Sequence, residues 1–260
     1  MAPGVLVIDL ATDSSLLRRF VRDLDATSPR PSPCPPLLDA VSDEDRDAAR
    51  LAWAARIVDE YRSVAVFSEL LGLLTDLEAP FAALCAVQRL IGDELRHTQL
   101  AATVVDWLGG SADLSIDLRD VGLPPRGSAP AAVRALHIIG RELVVAEEES
   151  VHVLDAYRRA SSDPAIVAML DILLVDEVRH AAAGRALLAQ FHTGHLAVAC
   201  GEALPELAAL AAADRATLRE TYAATAIGGP GRALGASIEL ADLIYPATRR
   251  RRSCIEARQV

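Results

Sequence analysis

The sequence predicts an all-α protein whose centre is a four-helix bundle: two antiparallel helical hairpins joined by a long crossover, with extra N- and C-terminal segments. Three observations carry this expectation. Helical periodicity runs through four stretches, roughly 43–76, 80–108, 129–160 and 164–193, each longer than an average globular helix. Short breaks containing Pro separate the first stretch from the second and the third from the fourth, whereas a long Gly- and Pro-rich segment lies between the pairs. The string Asp-Glu-x-Arg-His also occurs twice, as DELRH at 93–97 and as DEVRH at 176–180, each time in the second helix of a pair.

Taken in order, residues 1–42 form an irregular N-terminal extension. VLVID at its start reads as a short strand, Asp13 as the cap of a short helix through Leu24, and SPRPSPCPP at 28–36 as an extended linker that excludes helix. The bundle occupies 43–193. Glu78-Ala79-Pro80 closes its first helix and Ser161-Ser162-Asp163-Pro164 closes its third, with each proline at or near the start of the next helix. Each pair is therefore a tight hairpin, and GGSADLSIDLRDVGLPPRGSAP at 109–130 is the crossover. Residues 194–260 make a C-terminal extension, with a fifth helix at about 204–225 and a basic tail, RRRR at 249–252, that reads as solvated.

Composition narrows the function classes. A net charge of -10 argues against a nucleic-acid partner. Cys34, Cys85, Cys200 and Cys254 are far apart, show no CxxC spacing, and accompany no charged-then-apolar secretory start, so a cytoplasmic location is expected. No apolar run reaches the roughly 18 residues of a membrane span, so no membrane partner is expected either.

The two repeated motifs interrupt core stripes. Residues three apart share a helix face, so Glu94 with His97, and Glu177 with His180, each direct two side chains at one spot. Around the first pair the stripe is Val87, Leu90, Ala101 and Val104; around the second it is Leu170, Leu173, Gly184 and Leu187. The other two helices carry matching carboxylates: Glu60 in line with Val64, Phe67 and Leu71, and Glu147 in line with Leu143, Val144, Val151 and Leu154. Burying an unpaired carboxylate is costly, and a metal is the natural compensating charge.

Hairpin geometry tests this independently, because residues equidistant from a tight turn stand at the same height. The point midway between Glu60 and Glu94 is residue 77, and that midway between Glu147 and Glu177 is residue 162; both fall in the assigned turns. Glu60-Tyr-Arg-Ser63 before the first motif also parallels Glu147-Glu-Glu-Ser150 before the second, as in a pseudo-twofold repeat. Four carboxylates would be balanced by two divalent cations. Mixed oxygen and imidazole donors suit iron or manganese better than zinc or copper.

A glutamate on each of two helices plus Glu-x-x-His on two others resembles the di-iron carboxylate proteins of the ferritin-like superfamily. The resemblance covers roughly residues 43–193 and makes the bundle ferritin-like. DELRH and DEVRH in particular resemble the motifs of hydroxylase subunits in bacterial multicomponent monooxygenases, and the pattern recurs in ribonucleotide reductase small subunits. Carried over, the resemblance implies that Glu60, Glu94, His97, Glu147, Glu177 and His180 are metal ligands. It also implies that Asp176 accepts from the outer ring nitrogen of His97 and Asp93 from that of His180, with Arg96 and Arg179 placed to hold the aspartates. One turn before the second Glu-x-x-His, where arylamine N-oxygenases of the superfamily carry a further histidine, this chain has Leu173.

The rivals within each stripe are weaker. Glu148 and Glu149 face Val145, His152 or Asp155, and Glu69 shares its face with Arg62 and Asp76 and misses the hairpin midpoint. Trp53 reads as a core or cap residue, and His137, His152, His192 and His195 have no second ligand at metal spacing. Tyr61 and Tyr157 are placed to approach the bundle interior. The expected function is that of a non-heme di-iron oxidoreductase, with two Fe ions (di-manganese or Fe/Mn as alternatives), O2 as co-substrate and a small organic molecule as substrate. An external electron donor and a homodimer are compatible with that reading. The alternative expectation is a ferroxidase, peroxidase or iron-handling protein; no four-cysteine rubredoxin-type site accompanies it.

Overall fold

The structure is a computed structural model, described for residues 5–8, 35–36, 38–110, 114–117, 129–201, scattered positions between 203 and 216, and 229–235. Four long helical rods dominate it. Helix α1 (Asp43–Asp76) starts where the Ser42 hydroxyl accepts from the Asp45 N–H, with Asp43, Glu44 and Asp45 complementing the helix dipole. It ends at a turn in which Glu78 adopts φ 52° and the Ala79 N–H donates to the Leu74 carbonyl. Helix α2 (Phe81–Trp107) follows Pro80 directly.

The third rod, α3, is continuous but not uniform: Ala131–Ile138 is α-helical, Ile139–Ala146 is π-helical, and Glu147–Ala160 is α-helical again. Helix α4 (Pro164–Gln190) has proline in its first turn, and its Asp163 cap accepts from the Ala165 and Ile166 N–H groups. A short α5 (Gly194–Cys200) packs back on Ala131–Ile138. Outside the helices, β1 (Val5–Ile8) pairs antiparallel with β2 (Leu114–Asp117), placing Val5 opposite Asp117. Thus the strand expected at VLVID is Val5–Ile8, and its partner lies within the crossover.

The helix limits read from Pro, Ser and periodicity agree with these within a few residues. The π-helical stretch was not expected. Its physical setting is a close approach: a Cβ on Gly184 would lie 2.9 Å from the backbone carbon and oxygen of Leu143, so the widened turn rests directly on the α4 backbone. The expected helix at 13–24 and the basic tail lie outside the described residues, as does most of the linker at 28–36 and of the helix at 204–225.

Helix α1 packs along α2, and α3 along α4; across the pairs, α2 meets α4, and α1 meets Ala131–Ile138 and the π-helical stretch. The apolar core divides into two clusters. One contains Trp53, Ile57, Val105, Leu154, Tyr157, Met169 and Leu170; the other contains Phe67, Leu74, Val87, Leu136, Leu143, Leu187 and Phe191. Each fully buried side chain of this size contributes about 1.5–3 kcal/mol. On every rod the two clusters are separated by one polar level: Glu60 on α1, Glu94 and His97 on α2, Glu147 on α3, Glu177 and His180 on α4. A later segment seals one end, where the Gly231 N–H donates to the Asp45 carboxylate and the Trp53 indole N–H donates to the Leu234 carbonyl. No helix among the described residues is long and apolar enough to cross a membrane.

Candidate metal centre

The polar level is where the four rods bring their glutamates and histidines together. Glu94, His97, Glu147, Glu177 and His180 are buried, and Glu60 is almost so. Their ligand atoms form two overlapping sets, Glu60 with Glu94, His97 and Glu177, and Glu94 with Glu147, Glu177 and His180; within each set these atoms lie within 4.8 Å of one another. Glu94 and Glu177 belong to both. All six residues singled out from the stripes therefore meet at one place.

Both imidazoles turn Nδ1 inward. His97 Nδ1 lies 3.5 Å from a Glu60 oxygen, 3.9 Å from Glu94 and 3.5 Å from Glu177. His180 Nδ1 lies 3.0 Å from Glu94, and 3.6 Å from both Glu147 and Glu177. These are not hydrogen bonds: among the described residues, Glu94 Oε1, His97 Nδ1, Glu177 Oε2 and His180 Nδ1 are sealed from solvent without a hydrogen-bond partner. Buried polar atoms are rarely left so. Donor atoms that share one cation at about 2.0–2.2 Å stand about 3 Å from each other, so the cluster has the spacing of co-ligands. The two rings lie 5.5 Å apart, centroid to centroid.

Behind the imidazoles stand the two aspartates. His97 Nε2 is 3.3 Å from Asp176 Oδ2, and His180 Nε2 is 3.6 Å from Asp93 Oδ2, the latter just beyond hydrogen-bond length. Arg179 donates to Asp176 at 3.0 Å. Arg96 lies 3.6 Å from Asp93 and also donates, at closer range, to Asp176 on the other hairpin, so one guanidinium links both aspartates. Sequence reasoning missed Arg89, whose Nε donates to both Asp93 oxygens from one turn earlier. The i,i+4 spacing of Arg89 and Asp93 was the available signal.

The electrostatics reflect crowding of like charges out of water. Burial pushes Glu94 and Glu177 well above the usual carboxylate range, helped by neighbouring glutamates, and raises Glu147 as well. In Glu60, burial is outweighed by the close approach and charge of His97, and its carboxyl falls below the ordinary value. Asp93 is lowered too, burial there being overcome by His180 and Arg89. His180 is held well above the usual imidazole value because Asp93, Glu147, Glu177 and Glu94 outweigh its burial.

The rival residues have other partners. Glu69 pairs with Arg134, and Glu148 with Arg185 at 2.6 Å. His195 donates to the Leu77 carbonyl at 2.9 Å, and Trp53 is part of the core. Tyr157 is buried in the same cluster and Tyr61 packs at its edge. Arg62 and Glu142 form a two-pronged ion pair, at 2.8 and 3.0 Å, between α1 and the π-helical stretch.

No protein-family model, curated protein or solved structure matches the chain. Its own geometry is that of a helical protein with a buried cluster of glutamates and histidines able to hold metal ions.

Proposed function

We propose that the chain is a ferritin-like, non-heme di-iron oxidoreductase that uses O2 to oxidise or oxygenate a small organic substrate. The observation that supports this best is the pair of overlapping ligand sets sharing Glu94 and Glu177. In this reading Glu60, Glu94, His97 and Glu177 would hold one metal ion, and Glu94, Glu147, Glu177 and His180 would hold a second. Two divalent cations neutralise four carboxylates, and oxygen donors with one imidazole per metal fit iron, with manganese the nearest alternative. When bound, such a pair supplies the electrons and Lewis acidity for reaction with O2.

The chain's own residues do the rest. Asp176 fixes the outer nitrogen of His97, and Asp93 stands 3.6 Å from that of His180, so that each ring presents Nδ1 to the centre. Arg96 holds both aspartates in register. The apolar clusters on either side exclude water and keep the site rigid. Glu60, with its side chain 11% exposed, is the most open of the four glutamates and marks the side from which a substrate approaches.

The test is anaerobic reconstitution with ferrous iron followed by isotopically labelled O2 and a panel of small organic substrates. Label in an organic product, or stoichiometric substrate oxidation, supports the proposal. Iron oxidation that continues to a mineral core without any organic product points instead to iron handling.

A further inference from the structure

We propose that Arg56 is the docking point for the carboxylate of a small organic acid, which it holds beside the metal centre as substrate. This rests on the oxidoreductase reading for its purpose, but the binding event can be measured alone. Arg56 stands one helical turn, about 6 Å, before Glu60 on the same face of α1. Its guanidinium lies 4.5 Å from the Trp53 ring on α1 and 5.3 Å from the Tyr157 ring on α3. It therefore reaches across from one rod to the other.

Charge pairing sets Arg56 apart from the arginines around it. Arg62 has Glu142, Arg89 has Asp93, Arg134 has Glu69, and Arg96 has Asp176 and Asp93. Among the described residues, Arg56 Nη1 is sealed from solvent and has no hydrogen-bond partner. Its charge acts on Glu60, a member of the metal-binding set. Once two divalent cations neutralise the four glutamates, Arg56 is a surplus positive charge at the edge of the centre. A carboxylate completes that balance and satisfies the orphaned donor.

The geometry also selects the ligand. Trp53 and Tyr157 flank the guanidinium, and a planar fork pairs with a carboxylate through two parallel hydrogen bonds. An acid anchored there lies about one helical turn along α1 from Glu60. Glu60 is the least buried glutamate of the centre.

The experiment uses the full chain loaded anaerobically with ferrous iron and titrated calorimetrically with two acid and amide pairs, benzoate against benzamide and acetate against acetamide. The expected result is that at least one acid binds about tenfold or more tightly than its neutral amide. That preference should vanish in Arg56→Gln and persist in part in Arg56→Lys, which keeps the charge but not the fork. Lack of preference for either acid in the unaltered chain, or a preference that survives Arg56→Gln, overturns the proposal. Iron counted in the same samples separates the two readings: a full complement of iron without acid preference rejects Arg56 docking alone, whereas an unaltered chain that holds no iron rejects the metal centre.

Discussion

Arg96 is the residue on which the two halves of the cluster depend together. It is buried, and it contacts Asp93 on its own helix and Asp176 on the opposite hairpin, each of which stands behind a histidine of the cluster. Replacing it with glutamine removes the charge that holds both aspartates. The expected outcome is a loss of about 10- to 100-fold in affinity at both metal positions, measured by competition with a chelator of known affinity. Arg179→Gln should cost much less, since that side chain is 63% exposed and touches only Asp176. At this scale the sequence was highly legible, because a carboxylate or imidazole that breaks an apolar stripe is buried at a cost that only a charge partner or a metal offsets. Glu60, Glu94, His97, Glu147, Glu177 and His180 all stand out in that way, and the structure gathers them. Arg89 does not, because an arginine one turn from an aspartate on a half-exposed face looks like any solvated ion pair.

At the scale of elements, the two hairpin turns announced themselves through Pro80 and through the Ser161-Ser162-Asp163-Pro164 break, whereas the Ser42 cap emerged only from the structure. The π-helical stretch at Ile139–Ala146 had no such signature. It depends on what packs against it: Gly184 lets the α4 backbone rest on Leu143, and Gly140 accommodates the Leu207 side chain. Gly184→Ala would force a methyl group to 2.9 Å from Leu143 backbone atoms and push α4 away from α3. It should cost about 1–3 kcal/mol, read from urea unfolding, and should also weaken metal binding, because Glu147 follows the stretch directly. A neutral result would show that the approach of the two rods is not tight.

For the whole molecule, the polar waist between two apolar clusters makes stability depend on what neutralises it. Glu94, Glu147 and Glu177 hold protons more tightly in the fold than in the unfolded chain. Each therefore favours folding below the ordinary carboxylate range and loses that contribution as pH rises through its folded value. His180, also raised, acts in the same direction. Asp93 and Glu60 are lowered, so their contribution is present above their ordinary values and disappears only as pH falls below them. Between about pH 5 and about pH 8, the metal-free chain should thus lose thermal stability as pH rises. With ferrous iron bound, cations take the place of the protons and the trend should flatten or reverse. Thermal unfolding at fixed ionic strength, with chelator and with iron, checks both slopes; a metal-free chain that gains stability across this range contradicts the assigned charge balance.

The central claim is that this waist holds two metal ions side by side, and X-ray absorption on the anaerobically iron-loaded chain, with iron per chain counted in the same sample, addresses it most directly. The account predicts two irons per chain with an iron–iron distance of about 3.5–4 Å, and loss of that signal in Glu94→Ala while the helical circular dichroism remains. A single iron, no iron, or an unchanged pair in Glu94→Ala would contradict it.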